Sequence, residues 1–332
     1  MIDLIRKLVE AYGPSGHEDQ TREIVLTEIK GLYDDMTVDA LGNVIAWKRS
    51  GIKDAPRLML SAHMDEIGMM VSHIDKDGFM RFTALGGLNA NTLHGQRVRF
   101  ADGTIGAIGV DSEVGWGDAP KIEQLFIDAG NGGKKHGVKV GDAAGMFREM
   151  TVNGTRLTSK TMDDRIGCAV QIETMRAVQG KKLPSDVAFV FSVQEEVGLR
   201  GAKTAAHAVD PQLGIAIDVT RTGDTANGIK MEVALGKGPA IKIRDSGMLA
   251  APEAIAHMEK AAKAARVPYQ REVLLAGSTD AAAMQLARAG VRAGCLSIPC
   301  RYIHTTSETV DIKDVEGAIK LLAKAVEMPI KA

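Results

Sequence analysis

The sequence predicts an α/β fold that is interrupted by a small β domain. In both terminal parts of the chain, helically spaced apolar residues alternate with short apolar runs typical of buried strands. Between about residues 67 and 157, glycines and turn signals separate short strands, and no long helical periodicity appears. A chain of 332 residues is also long for one compact core. We therefore expect an α/β domain formed by residues 1–66 and 158–332, with residues 67–157 inserted as a β domain.

The first elements follow from local patterns. Apolar residues between positions 5 and 12 recur at helical spacing, and the run Gly13-Pro14-Ser15-Gly16 ends this predicted helix. A second helix is predicted over residues 18–32, and two strand-like runs follow over 36–41 and 43–47. The mostly apolar run Arg57–Ala62 then fits a buried central strand.

After the insert the alternation of helices and strands resumes. The predicted elements are a helix over 164–178, strands over 187–193 and 213–217, and helices over 252–265, 279–289 and 312–326. Pro252 suits the first position of its helix, and Ser278 and Asp311 are predicted N-caps.

Composition excludes several classes of protein. Lys and Arg number 41 against 42 Asp and Glu, and a formal charge of −1 gives no electrostatic case for nucleic acid or an anionic membrane. No apolar run approaches the roughly 18 residues of a membrane span, and the N-terminal residues lack the pattern of a signal peptide. The cysteines, Cys168, Cys295 and Cys300, are too few and too scattered for a disulfide framework. We expect a cytoplasmic protein.

Acidic and imidazole side chains lie where predicted strands end or helices begin. They are His63 and Asp65, Asp163 and Asp164, Glu195 and Glu196, Asp218, and His304. Because ligands bind beyond the carboxyl ends of the strands in an open α/β sheet, we expect these side chains to share one cleft.

A cleft with two imidazoles and at least five carboxylates needs cations to offset the repulsion. Histidine with Asp or Glu, and no cysteine ligand, suits Zn²⁺, Co²⁺ or Mn²⁺. A pair of such ions needs a bridging carboxylate, and a free carboxylate must accept the proton of the attacking water. Glu195 and Glu196 fit a division into one base and one ligand, and Asp65 can fix the tautomer of His63.

Several motifs occur together and in order along the chain. They are His63-Met64-Asp65-Glu66-Ile67-Gly68, Met162-Asp163-Asp164-Arg165-Ile166-Gly167, Gln194-Glu195-Glu196-Val197-Gly198, Gly201-Ala202, Ile217-Asp218-Val219 and Arg301-Tyr302-Ile303-His304. This set resembles the TET-type metallo-aminopeptidases, dinuclear enzymes that form tetrahedral particles and whose relatives carry glutamyl-aminopeptidase or endoglucanase labels. The resemblance covers nearly the whole chain, including Gly13–Glu18 and the β insert.

The resemblance implies a mixed-sheet metallopeptidase domain of the phosphorylase/hydrolase-like type, with a small barrel-like insert. It also implies residue roles: His63 and Asp218 as ligands of one metal ion, Glu196 and His304 as ligands of the other, Asp163 as the bridge, Glu195 as general base and acid, and Asp65 as the residue that orients His63. Asp164 adjoins the bridge and is the less favoured alternative to Asp163.

The implied reaction is release of N-terminal amino acids from short peptides. A metal-bound water would attack the scissile carbonyl, and Glu195 would transfer the proton of that water to the leaving amine. The implied cofactors are two divalent ions per subunit, Zn²⁺ or Co²⁺ with Mn²⁺ as a further option. The implied assembly is a dimer that builds a dodecamer, to which the insert contributes contacts.

Other readings stay open at this point. A dinuclear-metal deacylase or a carboxypeptidase-type amidohydrolase shares this type of site. An endoglucanase is disfavoured because glycan cleavage needs two carboxylates free of metal. A non-catalytic particle is disfavoured because Glu195 is retained beside the ligands. The preferred N-terminal side chain and the roles of Asp280 and His17 are left undecided.

Overall fold

The computed structural model describes residues 1–115, 117–130 and 137–330. The chain forms a large mixed sheet flanked by helices, together with a separate closed barrel of six antiparallel strands. The predicted fold class is therefore confirmed. Residues 116 and 131–136 of the predicted insert, and residues 331–332 of the predicted α/β domain, lie outside the described part of the chain.

The regular elements are as follows. The helices are α1 (Ile2–Glu10), α2 (Asp19–Ile29), α3 (Met162–Ala177), α4 (Arg200–Val209), α5 (Pro252–Ala265), α6 (Asp280–Gln285) and α7 (Ile312–Val326). The strands of the large sheet are β1 (Asp35–Val38), β2 (Val44–Lys48), β3 (Arg57–His63), β10 (Thr151–Asn153), β11 (Arg156–Ser159), β12 (Asp186–Ser192), β13 (Leu213–Thr220), β14 (Ala240–Arg244), β15 (Gln270–Val273), β16 (Arg292–Arg301) and β17 (Glu308–Asp311). The barrel strands are β4 (Gly68–Ile74), β5 (Met80–Leu85), β6 (Arg97–Phe100), β7 (Ile105–Val110), β8 (Leu125–Asp128) and β9 (Ala143–Met146).

Four parallel strands form the centre of the large sheet. The strand order is β1-β2-β12-β3-β13-β16-β17-β11-β10, and β12, β3, β13 and β16 run in the same direction. The outer strands of this order join antiparallel, while β14 pairs with β16 and β15 with β14. Since these four strands run in parallel, their carboxyl ends meet at one edge of the sheet.

Helices cover both faces of this sheet, which explains why its central strands are almost wholly apolar. On β3, Leu58, Leu60 and Ala62 pack into the core formed with α1, α3, α5 and α7. Met59 packs into the opposite core, which is formed with α4 and α6. Because side chains alternate along a strand, Ser61 and His63 belong to the α4 and α6 face.

The barrel closes in the order β4-β5-β8-β7-β6-β9 around its own apolar core. Its strands lie within residues 68–146, whereas β10 and β11 pair with β17 in the large sheet. The division of the chain into separate domains at 66 and 157 stays a prediction.

Among the described residues, no helix is both long and apolar enough to cross a membrane.

Two predicted helix starts are confirmed and one is wrong. Pro252 is the first residue of α5, and the Asp311 side chain accepts a hydrogen bond from Lys313 N at the start of α7. At α6 the N-cap is Thr279, not Ser278, because the Thr279 hydroxyl accepts a hydrogen bond from Ala281 N. This helix also ends at Gln285, earlier than predicted, and Arg288 within the predicted range adopts a left-handed conformation with φ of 49°.

A buried ionic junction lies where the chain passes from the large sheet into the barrel, at Glu66 between β3 and β4. The Glu66 carboxylate accepts hydrogen bonds from Lys160 Nζ at 2.7 Å and from Gly13 N at 3.0 Å. Arg165 Nε donates to the carbonyl of Met64, and its terminal nitrogens donate to the carbonyls of Leu8 and Gly13. The side chains of Glu66, Lys160 and Arg165 are at most 3% exposed. Each therefore needs its partners to compensate for the hydration that it loses on burial.

Replacing Lys160 with methionine should leave Glu66 as an incompletely compensated buried charge. We expect Lys160→Met to lower the free energy of unfolding by about 3 kcal/mol. Urea denaturation at a fixed protein concentration measures this. Lys181→Met is the matched control, because Lys181 pairs with Glu327 at the surface and should contribute about 1 kcal/mol or less. Equal losses in the two variants would contradict the role given to the junction.

Candidate active site

A cavity of about 540 Å³ opens at the carboxyl edge of the central strands. Its ionisable lining includes Asp163, Glu195, Glu196, Asp218 and His304. His63 ends β3, Asp218 lies on β13, and Glu195 and Glu196 follow β12. The parallel sheet therefore delivers side chains from distant parts of the sequence to one opening.

His63 is the centre of the first group of potential metal ligands. Its Nε2 atom lies 3.0 Å from Asp163 Oδ1 and 3.9 Å from Glu195 Oε2. One ligand atom each from His63, Glu195 and Asp218 lie within 4.8 Å of one another, and so do atoms from His63, Asp163 and Glu196. Both groups combine an imidazole with two carboxylates, the donor types that divalent transition metals prefer.

His304 approaches the same cluster from the other side. Its Nε2 atom lies 3.3 Å from Asp163 Oδ2 and 3.3 Å from Glu196 Oε2. The two oxygens of Asp163 therefore face different imidazoles, one towards His63 and the other towards His304.

Asp164, the alternative to Asp163, has a different environment. It is fully buried, and its carboxylate accepts hydrogen bonds from His63 N at 3.2 Å and from Gly167 N at 3.1 Å. The peptide bond between Asp163 and Asp164 is cis. Only Asp163 of the two lines the cavity, which favours it over Asp164 as a ligand.

Asp65 links the His63 ring to the loop that carries the two glutamates. Its Oδ1 atom lies 3.4 Å from His63 Nδ1 and accepts a hydrogen bond from Glu195 N at 2.9 Å. Its Oδ2 atom accepts hydrogen bonds from Glu196 N at 3.2 Å and from Ser15 Oγ at 2.5 Å. Asp65 thus fixes the imidazole and both glutamate backbones together, and Ser15 is a partner that the sequence analysis missed.

Glu308 is a second residue that the sequence analysis missed. It is buried, and its carboxylate accepts hydrogen bonds from Asp163 N at 2.9 Å and from His304 N at 2.7 Å. This contact holds His304 in a left-handed conformation with φ of 65°, which is unfavourable for a residue with a side chain. A single glutamate in a short strand offers no sequence signal for such a role.

The loop between β5 and β6 also contacts His304. The Gly87 carbonyl lies 3.1 Å from His304 Nδ1. A Cβ atom at position 87 would lie 2.6 Å from the same nitrogen, so only glycine leaves room for the ring. The barrel side of the molecule therefore fixes one imidazole of the cavity.

The charges in the cavity perturb one another strongly. Burial raises the pKa values of Glu195 and Asp218 well above the usual range, and neighbouring carboxylates raise them further. Burial opposes ionisation of Asp163 as well, but hydrogen bonds to His304 and His63 lower its pKa. Each carboxylate therefore depends on a nearby positive charge.

These residues fit divalent cations. Besides the mutual repulsion, Glu196 Oε1 is buried and receives no hydrogen bond from any residue in the described ranges. Such an orphaned oxygen is unfavourable in a protein interior unless a cation or a donor meets it. Histidine nitrogens and carboxylate oxygens around one opening provide the set of donors that such a cation needs.

Two other residues considered from the sequence lie away from the cavity surface. His17 is half-buried and is not among the lining residues. Asp280 is 2% exposed and does not line the cavity, so a direct contact with substrate is not supported.

A family model matches most of the chain, and similar proteins cover nearly all of it. The family described as M42 glutamyl aminopeptidase matches residues 42–321. A protein of Acetivibrio thermocellus named putative aminopeptidase is 41% identical, over 98% of both chains. The solved structure of aminopeptidase APDkam598 from Desulfurococcus kamchatkensis is 40% identical, with a TM-score of 0.94 over 99% of this chain and 95% of that one.

A further solved structure, at 31% identity and a TM-score of 0.88, covers 98% of both chains. It is the TET1 peptidase of Pyrococcus horikoshii, described as able to assemble into a tetrahedron or a large octahedral shell. The expected family and the expected class of enzyme are thereby confirmed. The chain is an aminopeptidase and belongs to the M42 glutamyl aminopeptidase family.

Proposed function

We propose that this aminopeptidase works with two divalent metal ions per subunit, Zn²⁺ or Co²⁺ with Mn²⁺ as a further option, and releases N-terminal amino acids from short peptides. The observation that carries the proposal is the position of Asp163, whose two carboxylate oxygens lie 3.0 Å from His63 Nε2 and 3.3 Å from His304 Nε2. A carboxylate with one oxygen towards each of two imidazoles could bind both ions of a two-metal site, one through each oxygen.

In this proposal His63 and Asp218 hold one ion, Glu196 and His304 hold the other, and Asp163 serves both. The orphaned oxygen of Glu196 then gains a partner. When bound, the ions supply Lewis-acid chemistry: they polarise the carbonyl of the scissile bond and lower the pKa of a water molecule.

Glu195 is the proton carrier in this proposal. Its side chain is 11% exposed and lines the cavity, and its Oε2 atom lies 3.9 Å from His63 Nε2. Burial raises its pKa, which suits a group that alternates between base and acid. The carboxylate accepts a proton from the attacking water and then donates it to the leaving nitrogen of the cleaved peptide bond.

Asp65 is the orienting residue. Its carboxylate lies beside Nδ1 of His63, which leaves Nε2 of the ring directed at Asp163 and Glu195. The same carboxylate accepts the backbone N–H groups of Glu195 and Glu196. Loss of the Asp65 side chain would therefore free the two glutamate backbones and leave the ring with only the Asp65 carbonyl, which lies 3.2 Å from His63 Nδ1.

Part of the cavity wall is apolar and suits the side chain of the first residue of a peptide. Leu199, Val219, Leu274 and Ile303 lie on this wall. A volume of about 540 Å³ is within the range of cavities that enclose small ligands. Its size supports binding of the end of a chain.

The expected activity can be measured with aminoacyl anilides and their N-acetylated twins. We expect chelation to abolish cleavage of the free-amine compounds and added Zn²⁺, Co²⁺ or Mn²⁺ to restore it. Glu195→Gln should lower kcat by about 10²–10⁴, because the amide is not a base. The same panel gives the preferred N-terminal side chain.

The controls distinguish aminopeptidase activity from deacylase activity. Glu173→Gln removes a surface carboxylate away from the cavity and should leave kcat unchanged. Cleavage of the acetylated twins in place of the free amines would identify a deacylase. Turnover that survives chelation, or that survives in Glu195→Gln, would contradict the proposed mechanism.

We further propose that the chain self-associates, up to a dodecamer, through two regions. One is the β insert, residues 67–157. The other is an exposed apolar patch, here called the leucine surface, formed by Leu249, Leu275 and Leu286, which are 67%, 83% and 81% exposed. Gln285 Nε2 donates to the carbonyl of Leu249 at 2.7 Å. Arg244 forms a β-bridge with Leu249 and accepts a hydrogen bond from Leu274 N, which places the segment of Leu275 beside the same strand. Large apolar side chains grouped at a surface are typical of sites that a partner covers.

Aspartate in place of two of these leucines should weaken the assembly. We expect Leu275→Asp/Leu286→Asp to shift the mass measured by light scattering towards smaller species, because two charges would have to be buried. Ile52→Asp is the control, since Ile52 is 55% exposed on a different loop. An unchanged mass for the double variant would exclude the leucine surface as a contact.

We also propose a cytoplasmic location and no nucleic-acid or membrane partner. Cys168, Cys295 and Cys300 are free thiols, as suits a reducing compartment. The near-zero formal charge gives no general attraction to polyanions.

A further inference from the structure

A buried carboxylate lies next to the metal-ligand cluster without belonging to it. Asp280 is the first residue of α6, is 2% exposed, and does not line the cavity. Its Oδ2 atom accepts hydrogen bonds from Ser61 Oγ at 2.6 Å and from Ser192 Oγ. No reaction step described above uses this group.

The two serines belong to the strands that deliver the cavity side chains. Ser61 lies on β3 two residues before His63, and Ser192 is the last residue of β12, three residues before Glu195. Ser192 is also the residue of β12 that pairs with His63 in the parallel register. One carboxylate oxygen thus joins two neighbouring strands at the point where both reach the cavity.

Strand alternation gives the position of Asp280 relative to the proposed ligands. Ser61 and His63 share one face of β3, and Asp218 lies two residues after Ala216, which packs into the core of that same face. Two residues span about 6.6 Å along a strand. Asp280 therefore contacts the layer of side chains directly beneath His63 and Asp218.

Asp280 forms no ion pair among the described residues, and the positive charge that acts on it comes from the His63 ring. Lys or Arg nitrogens form no ion pair with it there, and its Oδ1 atom is buried and receives no hydrogen bond. Burial raises the pKa of Asp280, and the His63 ring and the two serine hydrogen bonds only partly oppose this effect. A buried, ionised carboxylate destabilises the folded protein less when a positive charge lies nearby.

We propose that Asp280 is a positioning residue of the metal centre, which fastens β3 to β12 through Ser61 and Ser192 and places a negative charge beneath the ion held by His63 and Asp218. The inference rests on the proposed two-ion site. It assigns to Asp280 an effect on metal affinity through its neighbours, without any contact with substrate.

A purely structural role predicts a different result. If Asp280 only attached α6 to the sheet, its loss would lower the thermal stability and leave metal binding unchanged. If it supports the ions, its loss should weaken metal binding even in a well-folded variant. Removing the charge while keeping the shape separates these two cases.

Asp280→Asn is that variant, because the amide oxygen can still accept both serine hydroxyls. Protein freed of metal by chelation is titrated with Co²⁺ in a calorimeter and, in parallel, by its visible absorption spectrum. We expect 10- to 100-fold weaker binding of one ion, as found when groups that support metal ligands are removed. A Co²⁺ affinity and spectrum equal to those of the unmodified protein would overturn the proposal.

Asp314→Asn is the matched control. Asp314 is also fully buried and also accepts two hydrogen bonds, from Gly236 N and Gly238 N at 2.7 Å each, but it lies at the start of α7. We expect this change to lower the melting temperature and to alter the Co²⁺ affinity by less than twofold. An equal loss of affinity in both variants would also overturn the proposal.

Ser192→Ala decides the matter if Asp280→Asn does not fold. It removes one hydrogen bond and keeps the carboxylate, so we expect a smaller but measurable weakening, about threefold; an unchanged affinity would count against the proposal. Measurements on the unmodified protein separate failure of the proposed function from failure of the role given to Asp280. If it fails to bind Co²⁺ or to cleave free-amine anilides, the proposed function fails. If it does both and Asp280→Asn matches it, only the role of Asp280 fails.

Discussion

Repulsion among carboxylates in one partly buried cavity is the constraint on which the rest of the site depends. Asp163, Glu195, Glu196 and Asp218 line the same opening, and burial raises the pKa values of three of them. A fold that brings these groups together gains nothing in stability from their proximity. The arrangement becomes favourable when cations neutralise it, which connects the geometry directly to metal-dependent chemistry.

The four parallel strands at the centre of the sheet explain how the chain brings these charged side chains together. Strands β3, β12 and β13 end at one edge, so their following residues converge without any long loop. Buried carboxylates then hold the backbone in place: Asp65 accepts the N–H groups of Glu195 and Glu196, and Glu308 accepts those of Asp163 and His304. Two buried carboxylates outside the cavity, those of Asp65 and Glu308, thus fix the backbone of the charged residues that surround it.

Sequence alone could predict the elements and the residues at the strand ends, because periodicity and order along the chain carry that information. It placed β3, α5 and α7 well, and five of the seven residues it singled out line the cavity: Asp163, Glu195, Glu196, Asp218 and His304. His63 and Asp65 are buried behind them, and the roles of all seven stay predictions. It missed Glu308 and Ser15, whose contacts with Asp163 and Asp65 join residues 145 and 50 positions apart. It also misplaced the cap of α6, since serine is intrinsically the better cap of Ser278 and Thr279, and the structure nevertheless uses Thr279.

The central claim is that this cavity holds two cations with Asp163 between them. The most direct measurement is anomalous X-ray diffraction from crystals of the protein loaded with Zn²⁺, recorded on both sides of the metal absorption edge. The account predicts two anomalous peaks in each subunit, one contacting His63 and Asp218, the other contacting Glu196 and His304, and both contacting Asp163. A single peak, or peaks that leave Asp163 without a metal contact, would contradict it.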